Sequence, residues 1–464
     1  MITIGLCTYV LAATWTAGER LHWSGAATSG HVSSLRVATD AHGRAVAIWK
    51  EPNIVAGLAP AAYAVRASRF DPAAGWEAAL SFEGIESNDA SRAEIEVSLA
   101  DSGDVLALWM SVDTQGPGIW SARLPPRSSW TRPERLDSTG GWGPGLAAGR
   151  GGDGLAVWIE GGKGTSGGRI WSRAYRPGRG WETATSLDTI GARVSAPRLV
   201  RTENGDGLVA WTDTAPDSWP PEIWSVPFTR DTGLRPARVE TDQSGTPYST
   251  WEGVAPPDVA MAPDGDAVAV WIERHAAETA QVWAAHYSGG RWRGEGPVAG
   301  GFIAPYANHG GAGYGAVRVA MDGTGGAIAV WTAARRNANA PSWRSTWASR
   351  FAEGRWSEAV RLDSDADENA SFAQLAMAPD GRAVALWLES TESEYIGRTG
   401  NYGWHTVWTN VYVPGRGWDG PQKLQGGGGR AQNPAVAIDP QGRAIVAWAE
   451  WSSDGTRVWA ARSR

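Results

Sequence analysis

A short pattern that ends in tryptophan recurs eight times along the chain and constrains the fold more than any other feature. In its clearest copy, residues 257–271 read Pro-Asp-Val-Ala-Met-Ala-Pro-Asp-Gly-Asp-Ala-Val-Ala-Val-Trp. Residues 259–261 and 267–271 are predicted to be two short β-strands, because Pro-Asp-Gly between them is typical of a tight turn. The tryptophans that end the eight copies are Trp49, Trp109, Trp158, Trp211, Trp271, Trp331, Trp387 and Trp448.

Each copy continues with two further predicted strands. The third strand carries Trp120, Trp171, Trp224, Trp283, Trp347, Trp408 or Trp459, and Arg66 in the first copy. After a glycine-containing turn, the fourth strand opens on Trp76, Trp130, Trp181, Trp292, Trp356 or Trp418. Four short antiparallel strands in a unit of about 57 residues, repeated eight times, predict an all-β, eight-bladed β-propeller.

The two chain ends are predicted to share one blade. The last repeat stops after its third strand, and residues 9–29 supply the missing fourth strand, with residues 21–27 aligned on Trp23. Residues 10–15 align with a third strand, which would be surplus and lie at the rim, with Trp15 in the core. Sharing a blade closes the ring and removes exposed edges. A single domain, residues 1–464, is expected, with repeats at about 33–83, 93–137, 143–188, 195–240, 256–298, 316–363, 372–424 and 432–464.

These units resemble the bacterial repeat propellers whose sequence is roughly Pro-x-Val-Ala-x-Asp-x-x-Gly-x-Ala-x-Ala-Val-Trp. That resemblance covers nearly the whole chain and implies an exported or surface protein, but it identifies an architecture rather than an activity. The Asp-x-x-Gly turn is also similar to the Asp-box of sialidase propellers. In this chain the turn lies between strands one and two and is farther from the tryptophan, so sialidase chemistry is not expected.

Composition and charge exclude several classes of function. The net charge of −7 argues against a nucleic-acid partner. No apolar run approaches the length of a membrane span. Cys7 is the only cysteine, so no intrachain disulfide forms. We expect a monomer that is secreted or held at a bacterial cell surface, although the first residues lack the basic start of a signal peptide.

The order of strands predicts which face of the disc binds a ligand. In a four-stranded meander, the 1–2 and 3–4 turns lie on one face, here called the turn face. The 2–3 loops and the connections between blades lie on the other, the loop face. The turns in this sequence are short and regular, whereas the loops vary widely in length. We therefore expect the functional site on the loop face, around the mouth of the central channel.

Six tryptophans outside the repeat positions all fall in segments of the loop face, and so do five of the ten tyrosines. Aromatic rings that stack on sugars, with polar groups nearby, are what a glycan-binding surface needs, although packing of the loops is the alternative. The predicted ligand-binding residues are Trp142, Trp219, Trp251, Trp343, Trp404, Trp451, Tyr248, Tyr306, Tyr314, Tyr395 and Tyr402.

A carboxylate stands two residues after the second-strand tryptophan in six repeats, at Glu51, Glu160, Asp213, Glu273, Glu389 and Glu450. We favour a structural role for each, in binding loop amides or a neighbouring arginine at the strand end. If the protein is an enzyme, the candidate catalytic residues are Glu273, Glu389, Glu252, His309, His405 and Tyr402, with Asp217, Glu222 and Asp258 in the same pool of acids.

No cofactor is expected. The alternating carboxylates Asp363, Asp365 and Asp367 could supply oxygen ligands to Ca²⁺, but the EF-hand pattern is incomplete and a solvated acidic loop is favoured. The sequence therefore predicts a lectin-like propeller that binds a glycan or another extracellular polymer. One alternative is a glycoside hydrolase or polysaccharide lyase on the same face, and another is a protein-interaction scaffold.

Overall fold

The computed structural model describes most of every repeat. It covers residues 14–24, 32–53, 62–81, 94–113, 116–161, 168–187, 193–214, 222–228, 237–238, 246–247, 249–250, 253–254, 257–275, 279–303, 317–335, 344–364, 368–391, 405–424 and 426–463. Across these ranges the regular structure is β-strand alone. Within them, no helix is long and apolar enough to cross a membrane.

The strands form eight antiparallel meanders, here numbered as blades 1 to 8 in chain order. The first strands are Ser34–Thr39, Ile95–Leu99, Gly141–Ala148, Arg198–Arg201, Asp258–Met261, Val317–Met321, Glu368–Met377 and Arg430–Ile438. The second strands are Ala45–Asn53, Val105–Asp113, Gly154–Glu160, Gly207–Thr214, Ala267–His275, Ala327–Arg335, Ala383–Thr391 and Ala444–Ser452. The third strands are Ala62–Asp71, Gly116–Leu124, Arg169–Arg176, Glu222–Phe228, Thr279–Ser288, Arg344–Ala352, His405–Val413 and Gly455–Arg462.

The fourth strands are shorter and often broken in two. They are Gly75–Trp76 with Leu80–Ser81, Glu134–Arg135, Gly180–Trp181 with Thr185–Ser186, Ala237–Arg238, Arg291–Ile303, Arg355–Trp356 with Val360–Arg361, Gly417–Trp418 with Gln422–Lys423, and Glu19–Ser24. Additional short strands are Arg193–Val194, Thr246–Pro247 and the hairpin Ser249–Thr250 with Gly253–Val254. The long fourth strand of blade 5 also pairs with the second strand of blade 6.

The eight first strands form a closed inner ring. Each contacts the first strand of the next blade, and the first strand of blade 8 contacts that of blade 1. Each sheet then runs outward from first to fourth strand. The chain is therefore an eight-bladed β-propeller, and the predicted fold class is confirmed.

The second-strand tryptophans are the core of the interfaces between blades. All eight are at most 2% exposed. Trp49 of blade 1 packs against Ala435 and Ala447 of blade 8, and Trp448 packs on blade 7. The four residues before each of these tryptophans are glycine or aliphatic, so both faces of the strand can be buried between blades.

Blade 8 is completed by the N-terminal segment, as predicted, but in a different register. Trp15 pairs with Ser463, as Trp181 pairs with Tyr175 and Trp418 with Tyr412. Trp15 therefore opens the fourth strand and packs between blades 7 and 8. The prediction that placed Trp15 in a surplus third strand and Trp23 at the opening position is wrong.

The correct register has a clear sequence signal that was missed. A leucine follows the opening tryptophan by six residues in several blades, at Leu136, Leu187, Leu362 and Leu424, and each of these side chains is buried. Leu21 follows Trp15 by the same interval and is also buried. Trp23 lies beyond the repeat pattern, toward the loop face, and is 50% exposed.

On the turn face, arginines link neighbouring blades. Arg44 of blade 1 donates to the carbonyl of Asp101 in blade 2 at 2.6 Å. A Cβ at Gly103 would lie only 2.9 Å from the Arg44 guanidinium, and Gly103 also has a positive φ of 86°. Arg443 of blade 8 lies over Gly43 of blade 1 in the same way. Glycine is required in these turns by backbone conformation and by close approach.

Candidate functional site

Part of the predicted binding surface lies within the described residues. Trp142 and Trp451 are half-buried on the loop face. The other predicted binding aromatics lie outside the described residues: Trp219, Trp251, Trp343, Trp404, Tyr248, Tyr306, Tyr314, Tyr395 and Tyr402. Among the catalytic and metal candidates, the same holds for Glu252, His309, Asp217, Asp365, Asp367 and the side chain of Glu222.

The six strand-end carboxylates are buried, and most contact the tryptophan of their own strand. Their exposed fractions run from 1% to 8%. The indole N–H donates to the carboxylate two residues later in the pairs Trp49–Glu51, Trp158–Glu160, Trp271–Glu273, Trp387–Glu389 and Trp448–Glu450, at 2.6–3.1 Å. In a strand, residues two apart lie on the same side, so the geometry follows directly from the spacing.

Three of these carboxylates also bind the preceding blade or the connection that leaves it. Glu51 accepts from His22 of blade 8 at 3.1 Å and forms an ion pair with Arg66 of its own blade. Glu160 accepts from the Ser138 amide at 3.0 Å, in the connection from blade 2. Glu450 accepts from the Gly427 amide at 2.7 Å, in the connection from blade 7. These contacts support the structural role favoured from the sequence.

The glycine run at residues 426–429 fits tightly around one of these carboxylates. A Cβ at Gly426 would lie 1.9 Å from Glu450 Oε1, and one at Gly429 would lie 2.8 Å from the Trp451 carbonyl oxygen. This segment is therefore packed against blade 8, and its glycines are needed for that close approach.

Asp363, the metal candidate within the described residues, is already bound to protein groups. Its Oδ2 accepts from the Thr346 amide at 2.9 Å, and its Oδ1 pairs with Arg361. Asp137 makes equivalent contacts in blade 2, accepting from the Ile119 amide at 2.7 Å and pairing with Arg135. The Leu-Asp motif thus fixes the end of the fourth strand, and this role needs no metal.

One carboxylate–histidine cluster on the turn face has oxygen and nitrogen atoms close enough to share an ion. Asp40, His42 and Asp101 offer ligand atoms within 4.8 Å of one another. However, Asp40 Oδ2 is 2.6 Å from Arg44 Nε, and Asp101 Oδ1 accepts from the Ala41 amide at 3.0 Å. The guanidinium and the amides already satisfy these carboxylates, so the cluster does not fit a metal site.

His405, a predicted catalytic candidate, lies among positive charges on the loop face. It begins the third strand of blade 7, between Arg344 of blade 6 and Arg430 of blade 8. Burial lowers the pKa of His405 to about 4, and the charges of Arg430 and Arg344 act in the same direction. The imidazole is therefore neutral at pH 7, and within the described residues its Nδ1 has no hydrogen-bond partner.

Aromatic rings lie beside this cationic group. The Arg430 guanidinium lies over the Trp451 ring, 5.5 Å from its centroid. Trp23, on the outer strand of the same blade, is 50% exposed and donates to the Asp454 carbonyl at 3.3 Å. We call Arg344, His405, Arg430 and Trp451 the blade 6–8 cluster.

Sequence reasoning missed a second group of charges, in the inner ring. One residue of each first strand pairs with the residue just before the core tryptophan: Arg36, Glu96, Gly145, Arg198, Asp258, Arg318, Gln374 and Ala435. Equal register places these eight residues at one height around the central channel, and we call them the channel layer. Their signal was the variable position in Pro-x-Val-Ala, which is charged in five of the eight repeats.

No protein-family model matches the chain, and no curated protein sequence is similar to it. Solved structures are similar in fold. An ulvan lyase bound to -[GlcA(1-4)Rha3S]- is 10% identical, with a TM-score of 0.48 over 89% of this chain and 98% of that chain. An α-L-arabinanase from Penicillium chrysogenum is 12% identical, with a TM-score of 0.40 over 72% of this chain and 97% of that chain. A protein of unknown function from Dyadobacter fermentans is 11% identical, with a TM-score of 0.42 over 70% and 95% of the two chains.

Proposed function

We propose that the protein binds an acidic polysaccharide on its loop face, through the blade 6–8 cluster. The observation that supports this most directly is the stacked pair of Arg430 and Trp451 beside Arg344 and His405. A half-buried indole offers a flat apolar surface to the C–H face of a sugar ring. Two guanidinium groups nearby suit the carboxylate or sulfate groups of the same polymer.

The charge of the cluster contrasts with that of the chain. The whole sequence carries a net charge of −7, yet this part of the loop face presents two arginines around a neutral histidine. An overall negative protein repels anionic polymers except where cations are concentrated. The ligand is therefore expected to be a uronate-containing or sulfated glycan, and a neutral glycan is expected to bind more weakly.

Binding is tested by calorimetry with a uronate polymer, a sulfated polymer and a neutral polymer of similar length. Trp451→Ala and Arg430→Gln should each weaken binding of the acidic polymers by about tenfold, since single well-placed anchors contribute on the order of 1–2 kcal/mol. The matched control is Arg350→Gln, because Arg350 lies over the Tyr412 ring at 5.9 Å near the turn face. Equal affinity for all three polymers, or an equal loss in Arg350→Gln, would contradict the proposal.

A polysaccharide lyase is the second candidate, and the position of His405 favours it. A neutral imidazole could take the proton from the carbon next to a uronate carboxyl group. The electron pair would then form a C=C bond as the neighbouring glycosidic C–O bond breaks, and the leaving oxygen would take a proton from the His405 imidazolium or from water. Arg344 and Arg430 would neutralise the carboxylate, which makes that carbon more acidic.

The two candidates differ in their products. A lyase releases fragments with an unsaturated end, detected by ultraviolet absorbance, and His405→Gln should abolish this signal while binding persists. Binding of a uronate polymer without formation of unsaturated ends would exclude the lyase. Capture of a protein partner with no polymer binding would instead favour the interaction scaffold.

A further inference from the structure

The channel layer holds more positive than negative charge. It contains Arg36, Arg198 and Arg318 against Glu96 and Asp258. Arg36 Nη2 pairs with Glu96 Oε1 at 3.3 Å, and Arg198 Nε lies 4.0 Å from Asp258 Oδ1. The two pairs occupy adjacent blades on two sides of the ring, blades 1 and 2 and blades 4 and 5.

Arg318 of blade 6 is left without a carboxylate at ion-pair distance among the described residues. Its one hydrogen bond there goes from Nη1 to the Val317 carbonyl at 3.2 Å. Asp258 Oδ2, on the neighbouring blade, accepts a hydrogen bond from the Val319 amide at 2.8 Å. The next positions around the layer, Gln374 and Ala435, carry no charge.

Arg318 occupies the same register position in its first strand as four other charged residues of the channel layer. The charges that act on it are Asp258, Arg198, Arg36 and Glu96, which belong to blades 5, 4, 1 and 2. Equal register places all five charged side chains at one height in the inner ring. Burial lowers the pKa of Arg318 to about 10, still far above neutral pH, so the group stays charged.

We propose that the channel layer binds one oxyanion on the axis of the propeller, held by Arg318 together with Arg36 and Arg198. Arg318 is half-buried and has no carboxylate at ion-pair distance among the described residues, and a carboxylate, sulfate or phosphate group would supply that charge with bidentate geometry. The residues two positions farther toward the turn face in the same strands are mostly small: Ala38, Ser98, Ala147, Val200, Ala260, Ala320, Ala376 and Ala437. The proposed site is separate from the blade 6–8 cluster and does not depend on it.

The experiment uses the full chain and inorganic sulfate as the probe. Thermal unfolding and calorimetry are carried out in sodium sulfate and in sodium chloride at equal ionic strength. The wild type should bind sulfate in calorimetry, and sulfate should raise its unfolding temperature more than that of Arg318→Met, because exclusion of sulfate from the protein surface stabilises both equally and only binding adds to it. Arg318→Met should lower sulfate affinity by about ten- to a hundredfold. Arg350→Met, on a stacked arginine outside the channel, should leave it unchanged.

A second variant is expected to raise the affinity for sulfate, a result that a misfolded protein would not give. Asp258→Asn keeps an oxygen to accept from the Val319 amide but removes a negative charge, so sulfate should bind several-fold more tightly. If sulfate has no effect beyond chloride, or if Arg318→Met and Asp258→Asn both bind like the wild type, the proposal is wrong.

The source of the anionic group is distinguished in the same series. A sulfated oligosaccharide that competes with free sulfate would place a group of the polymer in the channel. An oligosaccharide that binds without displacing sulfate would indicate that the channel binds a free small anion. Arg430→Gln should weaken only the oligosaccharide, which separates this site from the one proposed on the loop face.

Discussion

The pair formed by a tryptophan and the acid two residues later shows how single residues hold neighbouring blades together. Glu51 is 1% exposed and receives bonds from Trp49, His22 and Arg66. Burial alone would raise the pKa of Glu51, but the bonds and charges of His22, Arg66 and Trp49 outweigh it and lower the pKa below its ordinary 4.5. The ionised form is therefore stabilised in the folded protein.

We expect Glu51→Gln to lower the free energy of unfolding by about 1–3 kcal/mol at pH 7, because the donors His22, Trp49 and Arg66 lose a negative charge and one of two acceptor oxygens. Since the folded pKa is lowered, the contribution of Glu51 is complete above about pH 4.5 and is lost as the pH falls through the lowered pKa. Urea unfolding, measured from neutral to acid pH, should show that the free energy of unfolding falls less in the variant than in the wild type. Glu358→Gln, which changes an exposed residue, is the control. If the free energy of unfolding fell equally with pH in the wild type and in Glu51→Gln, the expectation would be wrong.

At the scale of single residues, the sequence predicted where the strand-end carboxylates lie better than it predicted which groups bind them. The spacing from tryptophan to acid placed the carboxylates on the tryptophan side of the strand, at the loop-bearing end. It did not reveal that the indole N–H is the common donor. Nor could it show that Ser138 or Gly427, in the connection from the preceding blade, completes the contact. Those partners come from other parts of the chain and become neighbours only when blades pack.

The closing strand, Glu19–Ser24 with Trp15 before it, allows a test of register at the scale of one element. Trp15→Ala should cost about 2–4 kcal/mol, because its ring fills the interface between blades 7 and 8. Trp23→Ala should change stability by less than about 0.5 kcal/mol, because that ring is half exposed. Calorimetric unfolding of the two variants decides between the registers, and the reverse order of effects would restore the alignment on Trp23.

The failure of the sequence alignment at this element has a physical cause. Trp-Ser-Gly at residues 23–25 is similar to the start of other fourth strands, so local composition favoured Trp23. The register is set instead by pairing over the whole strand. Trp15 lies opposite Ser463, and six residues later the apolar side chain of Leu21 is buried. A match of two or three residues can occur at two positions in this segment. A tryptophan and a buried leucine six residues apart occur there only at Trp15 and Leu21.

At the scale of the whole molecule, the ring depends on a contact between residues far apart in the chain. Removing residues 1–24 would leave Gly455–Arg462 as an unpaired edge. We expect this truncation to lower the unfolding temperature and to cause self-association, because open edges pair with other chains. Light scattering after size exclusion measures the effect.

The control truncation removes residues 1–13, which leaves every described contact of the closing strand in place. A peptide of residues 14–24 added to the longer truncation should restore the smaller size. If the longer truncation stays as stable and as small as the full chain, ring closure by this strand is not important for stability.

The charged channel could not be predicted one repeat at a time. Each of Arg36, Glu96, Arg198, Asp258 and Arg318 is a single charge in an apolar strand, which is usually a solvated position. Only closure of eight inner strands at equal register brings these side chains to one height. The fold was therefore predictable from local repetition, whereas this candidate site arises from the symmetry of the assembly.

The arginines that reach from one turn to the next also bear on how such a chain can evolve. Arg443 lies over Gly43, Arg44 over Gly103, and Arg382 over Gly442, always from one blade to the following one. Blades 8 and 1 each carry both halves of this contact, as Gly442 with Arg443 and as Gly43 with Arg44, whereas Asp104 follows Gly103 in blade 2. A duplicated copy of blade 8 or blade 1 would therefore be able to join a neighbour on each side, so gene duplication there would add a blade to the ring without new chemistry at that joint.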